Sequence, residues 1–572
     1  VTALEKLKNA KSLTDVAKML GFTPSGLSYI LYRMPPATRY TTFTIPKKGG
    51  GVRTIDAPTA QLKLAQRRLA NILYQCRTTI EVGAPRRPLS HGFRRSLSII
   101  TNAKPHQSRR YVLNLDLQDF FPSFNFGRVR GFFIRNRDFA LHEKVATIIA
   151  QIACHQNALP QGSPCSPVIA DLIAHVLDVR LAALAKTSSA TYSRYADDLS
   201  FSSGRKQFAS ALAHRDEQTD GSPWHLGLPL VTAIEDAGFR INHGKTRMQC
   251  RPRRQMVTGL TVNAKVNIPA DYYRLARSAC NELFRTGTYH RQKPILLSDG
   301  TQSFERIHSP AVLEGVLNHI YHVKSVSDSR AEKERKEQRT APTKFYRKFL
   351  FFRHFVALER PLVICEGRTD NIYLKTALRR LSAFHPRLGA WSGAHFQSEI
   401  SFLRYSDRVR EVLDLTGGTG DLATFMVRYS QSVMLYSYRP LNYPVILLID
   451  NDDGANKIFS LMKQKGTPIT FTSDGAFYHW QHNLYIVKTP SLGSSGVSCI
   501  ESFFDPTVLD TKLKGKSFQP KAPIDKAKEY GKAAFAENVI LPNAGTIDFS
   551  QFAGIFDRII AVLDDYKAPI AP

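Results

Sequence analysis

The chain has 572 residues, too many for one hydrophobic core, and its length suggests two to four domains. Its 78 Lys and Arg outnumber 48 Asp and Glu, a net +30, and the excess is uneven: residues 1–357 hold 54 against 26, residues 358–572 hold 24 against 22. Seven scattered cysteines argue against a disulfide frame or zinc site and for a reducing cytoplasm, and neither a membrane-spanning apolar run nor a signal pattern is present.

In chain order, residues 1–40 predict a helical extension. Leu13, Val16, Ala17 and Leu20 form a 3.6-residue stripe that ends at Gly21, and Ser25 caps a second helix through Leu31. The pair is either an RNA-gripping arm or plain packing. Phe43 to Leu64 reads as a strand, a basic Gly-rich turn with Lys47 and Lys48, and a second strand carrying Arg53. Val112 to Phe124 is an apolar strand that delivers Asp116 at its end and turns at Pro122. Leu159 to Pro167 (LPQGSPCSP) makes a tight loop before an amphipathic helix from about Val168 to Leu184, and such a loop can lay the Gln161 amide against a base pair. Ser193 to Phe201 (SRYADDLSF) reads as a β-hairpin whose turn carries Asp197 and Asp198. Like charges side by side are costly without a cation, and hard oxygen ligands suit Mg²⁺. If Asp116 meets this turn across one sheet, the acids would hold two ions about 3.5–4 Å apart, the clamp for in-line phosphoryl transfer. Phe121 would then lie under the incoming sugar, where its ring can exclude a 2′-OH.

These motifs, in this order and spacing, resemble the palm of reverse transcriptases. The resemblance implies an α+β right-hand polymerase, with fingers and palm over 41–264 and an α-helical thumb and connector over 265–345. It makes Asp116, Asp197 and Asp198 the catalytic triad, Gln161 a nucleotide contact and Phe121 the sugar gate. It places Lys47, Lys48 and Arg53 on the triphosphate, and Lys245, after Gly238 to Asn242, where it can protonate the leaving pyrophosphate. Tyr272, Tyr273, Leu275, Ala276 and then Val312, Leu313, Val316, Ile320 give the thumb its helical stripes, and Ser325 to Lys348 reads as a linker or solvated helix. Asn102-Ala103-Lys104-Pro105-His106 and Val257-Thr258-Gly259 resemble two signatures of retron reverse transcriptases. That subfamily implies RNA contacts at Asn102, His106, Val257, Thr258 and Gly259, with His106 either bonding RNA or tying a loop. Such an enzyme copies part of its own non-coding RNA from dNTPs, primes from an internal 2′-OH, and leaves a branched RNA–DNA molecule, msDNA.

Composition changes after the connector. Pro361 to Leu378 is a buried strand ending at Glu366, then a helix from Thr369-Asp370; Tyr443 to Lys457 is another, ending in Asp450-Asn451-Asp452. Continuous apolar strands followed by helices predict a parallel α/β sheet with its site at the carboxyl ends of the strands. Strand-end acids there make a Mg²⁺ site, with Glu366 available as general acid or base. Thr416 to Gly420 gives a flexible turn. The pattern resembles a Toprim domain over 358–572, nearest the nuclease branch of the overcoming-lysogenisation-defect proteins, in which a downstream strand supplies a further acid, here Glu501. The resemblance implies a nuclease acting on RNA or DNA in anti-phage defence and held in check by msDNA. The alternatives are a Toprim module that grips msDNA without cutting, and another mobile-element reverse transcriptase, which would carry a maturase or endonuclease tail. Self-association stays open.

Overall fold

The computed structural model describes residues 1–47, 51–83, 87–215, 223–290, 295–296, 302–303, 305–493, 496–520 and 523–566. Lys48 lies outside them. The chain forms two units, Val1–Pro269 and Ala270–Pro572.

The first unit opens with helices Ala3–Asn9 and Leu13–Met19, each started by a capping box, at Thr2 and Ser12. The next helix, Pro24–Ser28, is capped by Thr23 and not by Ser25: with Pro24 at the first helical position, the Thr23 hydroxyl accepts from Gly26 N. Strands Tyr40–Pro46 and Val52–Pro58 pair antiparallel, with Arg53 opposite Ile45. The central sheet is antiparallel throughout. Its strands run Thr191–Tyr195, Asp198–Ser203, Tyr111–Gln118 and Arg240–Ile241, and Arg247–Cys250 also pairs with Tyr111–Gln118. Leu113, Leu115, Leu199 and Phe201 are buried on it beside Val168, Ile169 and Leu177 of helix Ser166–Thr187. Each such side chain contributes about 1.5–3 kcal/mol of hydrophobic stabilisation.

The second unit begins with helices Ala270–Thr286 and Ala311–Val326. The expected linker is mostly helix. Glu332–Glu337 is an exposed turn of charged residues, but Ala341–Phe351 buries Tyr346, Phe349, Leu350 and Phe351, because its aromatic stripe outweighs its charge. The sheet of this unit runs Ser401–Phe402, Leu362–Cys365, Val445–Ile449, Leu484–Lys488 and Tyr478–Gln481. The first four strands are parallel, and the last is antiparallel to its neighbour. The sheet is therefore mixed and not purely parallel: Tyr478–Gln481 and Leu484–Lys488 are joined by His482 and Asn483 alone, too short for a crossover. All seven cysteines are unpaired, and among the described residues no helix is long and apolar enough to cross a membrane.

Candidate functional site

Register sets Asp116 directly across from Asp198, and Asp198 across from Tyr195, so Ala196 and Asp197 form a two-residue turn. Ala196 takes φ 57°, the sign such a turn demands of its first central residue, at a cost of about 1–3 kcal/mol for a residue other than glycine. Leu117 N donates to Asp197 O at 2.9 Å, which carries the ladder into the turn. The Asp116 carboxylate accepts from Lys245 Nζ at 2.8 Å and from Asn242 Nδ2 at 3.1 Å. That bond raises the Lys245 pKa, so its ammonium stays charged. Burial, and then Asp116, raises Asp197, while Lys245 and Arg53 oppose the rise. Burial, then Asp197 and Asp116, pushes Asp198 up to about 7.

Loop Leu159–Pro167 docks on the Arg53 strand. Asp56 N donates to Gln161 O at 2.8 Å, and Gly162 sits at φ +127 with its missing Cβ 2.5 Å from Asp56 O, so no other residue fits. The Gln161 side chain is half-buried, as is Phe121, whose ring lies 5.8 Å from Phe93. Lys47 and Arg53 are exposed.

The expected RNA contacts divide. His106 is fully buried and bridges the two strands of the acidic hairpin, with Nδ1 2.7 Å from Ser202 Oγ and Nε2 2.8 Å from Ser193 Oγ. Burial brings its pKa down to about 3, so the ring is neutral. Of the two readings of His106, the tie is the one this geometry performs. Asn102 and Val257 are buried as well, Asn102 with neither amide atom hydrogen-bonded, so these three side chains present no surface to a ligand in this structure. Thr258 and Gly259 stay accessible on a turn, and Thr258 Oγ1 donates at 3.3 Å to Ile99 O, at the start of the helix Ile99–Ala103 that leads into the first motif.

In the second unit, Glu366 and Asp450 leave neighbouring parallel strands, whose last paired residues are Cys365 and Leu448. Asp450 Oδ1 accepts from Ile500 N at 2.9 Å, and Asp452 Oδ1 from Gly454 N at 2.9 Å. Gly418 N, in the flexible turn, donates to Glu366 O at 2.9 Å. Glu501 lies on a 3₁₀ turn, Ile500–Phe503, and not on a strand: Ser502 N donates to Cys499 O at 2.9 Å and Phe504 N to Glu501 O at 3.1 Å. Burial, then Asp370, Glu366 and Glu501, pushes Asp450 up to about 8. Burial, then Asp452, raises Glu366, whose Oε2 is buried without a hydrogen-bond partner. Sequence reasoning missed three contributors. Asn242 stood in the segment 238–242 without a role of its own, and Lys532, clasping Glu501 at 2.9 Å, carries no motif signal and stands 31 residues beyond it. Asp370, buried and accepting from Gly367 N at 2.6 Å, closes the run Glu366-Gly367-Arg368-Thr369-Asp370 but was given no role of its own.

Among the described residues no three His, Cys, Asp or Glu side chains are placed to share one metal ion. Of the acids expected to ligate metal, Asp116, Asp197 and Asp198 in the first unit and Glu366, Asp450, Asp452 and Glu501 in the second, Asp116 is paired with Lys245 and Glu501 with Lys532. The donor chemistry still fits a hard dication. Both sites are all-oxygen, burial and neighbouring carboxylates raise Asp197, Asp198, Glu366 and Asp450, and Glu366 Oε2 is orphaned.

Residues 45–262 match the family model described as Reverse transcriptase (RNA-dependent DNA polymerase). The Retron Mx162 reverse transcriptase of Myxococcus xanthus is 32% identical over 359 residues, 58% of this chain and 70% of that one. The Retron Ec86 reverse transcriptase of Escherichia coli is 32% identical over 277 residues, 48% and 78% of the two chains. A solved structure of telomerase from Candida albicans aligns at a TM-score of 0.31 and 10% identity over 69% of this chain and 65% of that one. With Asp116 set across from the Asp198 end of a Tyr-Ala-Asp-Asp hairpin, and about a third of its aligned residues shared over most of those enzymes' length, the chain belongs to the retron reverse transcriptases.

Proposed function

We propose that residues 41–345 copy part of the enzyme's own structured RNA into msDNA, and that residues 358–572 are a Toprim nuclease restrained by that product. The register of Asp116 on Asp198 carries the first half. Asp116, Asp197 and Asp198 would hold Mg²⁺, which when bound stabilises charge on the attacking oxygen and the leaving pyrophosphate. Arg53 and Lys47 meet the triphosphate from an exposed hairpin, and Arg53 is near enough for its charge to act on Asp197. Gln161 supports the nascent base pair, Phe121 bars a 2′-OH, and Lys245, held charged, delivers a proton to pyrophosphate. Thr258 and Gly259 are the motif residues left to meet RNA.

Glu366 and Asp450 support the nuclease half, since both leave the carboxyl ends of adjacent parallel strands. With Asp452 and Glu501 they would hold Mg²⁺ against a phosphodiester of RNA or DNA. One observation favours a module that grips without cutting: Lys532 Nζ already donates to Glu501 Oε2 at 3.0 Å and lies 2.9 Å from Oε1. Purified protein with Mg²⁺ on RNA and DNA, beside Glu366→Ala, separates the two. In cells, Asp197→Ala with Asp198→Ala is expected to abolish cDNA but spare RNA binding, which falls steeply as salt rises. Glu366→Ala is expected to remove toxicity and phage defence at unchanged cDNA. Glu366→Ala cells that lose cDNA, or still block phage, overturn this division of labour.

A further inference from the structure

A charge network that no step above uses lies beneath the acidic turn. Arg194, one residue before Tyr195, is fully buried, as are Asp171 and Asp178 of helix Ser166–Thr187. Its guanidinium donates through Nε to Asp178 Oδ1 at 2.7 Å, and through Nη2 to Asp178 Oδ2 and Asp171 Oδ1, both at 2.8 Å. The remaining arm, Nη1, donates to Ala196 O at 3.0 Å. Asp171 is shared with Arg77 at 2.5 Å, and Asp178 accepts from Tyr192 OH at 2.9 Å. Two guanidiniums thus face two carboxylates. Their formal charges balance. What it supplies is position.

The backbone around the turn is held from the other side. Arg194 N donates to Leu89 O at 2.9 Å, and His91 N to Arg194 O at 2.8 Å. A Cβ on Gly92 would stand 2.4 Å from Ala196 N, so this segment lies flush against the turn. Ala196, meanwhile, holds a left-handed conformation that alanine avoids unless its surroundings impose it.

We propose that Arg194 is a positioning residue for DNA synthesis: anchored on Asp171 and Asp178, it grips the Ala196 carbonyl, keeps Ala196 left-handed, and so aims Asp197 and Asp198 at Asp116. A planar fork is needed for this. Three acceptors on two elements are met at once by a guanidinium, whereas an ammonium keeps the charge but cannot span them.

The test is Arg194→Lys in the full chain with its RNA. We expect kcat to fall roughly 100-fold, the loss that a shift of about 1 Å in reacting groups brings, with the dNTP KM unchanged. Mn²⁺ binding without nucleotide, followed by electron paramagnetic resonance, is expected to weaken about 10-fold at the polymerase site; the second acidic site is common to both proteins and cancels in the comparison. RNA affinity stays near wild type, while the melting temperature falls as buried acceptors lose a partner, so kcat and Mn²⁺ binding are read well below the melting range. Arg77→Lys, which touches Asp171 but not the turn, serves as the control and keeps kcat. Wild-type kcat and Mn²⁺ affinity in folded Arg194→Lys overturn the proposal, as does a kcat loss in either variant that merely tracks its fall in melting temperature. Should Arg194→Lys not fold, Asp178→Asn, which keeps the shape but weakens the anchor and removes one of the two balancing charges, is read by the same two measurements and the same outcomes.

Discussion

Asp450 is a carboxylate that the fold holds at a cost. Its folded pKa of about 8 stands far above the usual carboxylate range, chiefly through burial and then through Asp370, Glu366 and Glu501. In that window the folded chain binds a proton that the unfolded chain has released. Its contribution to stability is therefore complete below about pH 4 and is lost as pH rises through about 8. In chelator, Asp450→Asn is expected to raise the melting temperature at pH 8, by roughly 2–4 °C per kcal/mol of repulsion relieved. At pH 4 the difference should vanish. Thermal melts at the two pH values check the sign, and a variant that melts lower at pH 8 contradicts it. Phe121 is a second residue with a clear readout. Its ring is half-buried against Phe93 and Phe120 just past Asp116, so Phe121→Ala opens space without touching the acids. Ribonucleotides should then compete with dNTPs, and an unchanged incorporation ratio would assign the gate elsewhere.

At the scale of elements, the join between loop Leu159–Pro167 and strand Val52–Pro58 depends on one missing methyl. Gly162→Ala must push Cβ into Asp56 O and strain a φ of +127. A cost of about 1–3 kcal/mol is expected, read as a higher dNTP KM, since loop and strand both carry residues meant for the nucleotide. An unchanged KM would free the loop from that role. Much of this architecture was legible beforehand. The alternation around Asp197 and Asp198 gave the hairpin, and the apolar run before Asp116 gave its partner strand, because one-sided burial leaves a period-two trace. Other parts left none. Nothing in Tyr478 to Gln481 distinguishes an antiparallel edge from a loop, and the charge of residues 325–348 concealed the aromatic stripe that buries helix Ala341–Phe351. The Arg194 anchors were invisible too, since Asp171 and Asp178 sit in a helix whose pattern cannot say which polar residue is enclosed.

For the whole molecule, the charge asymmetry sets the terms of any control by msDNA. A net +28 over residues 1–357 against +2 over residues 358–572 places most of the phosphate-binding power in the polymerase part. A product can silence a nuclease only by binding its inactive arrangement more tightly, and a nearly complete shift needs about 5.5 kcal/mol of difference. Raising salt should therefore weaken product binding and release nuclease activity together; activity insensitive to salt would separate them. The tie through His106 bears on a different matter, the exchange of parts between such enzymes. Helix Ile99–Ala103 meets the Val257-Thr258-Gly259 turn through Thr258, and His106 fastens the same region to both strands of the catalytic hairpin. Engineers who graft one motif from a relative import half of an interlocked joint. A chimera that exchanges 99–106, 191–203 and 256–262 as one block should be recovered soluble in higher yield than one that exchanges 99–106 alone, which makes this joint, more than any single motif, the natural unit of transplantation.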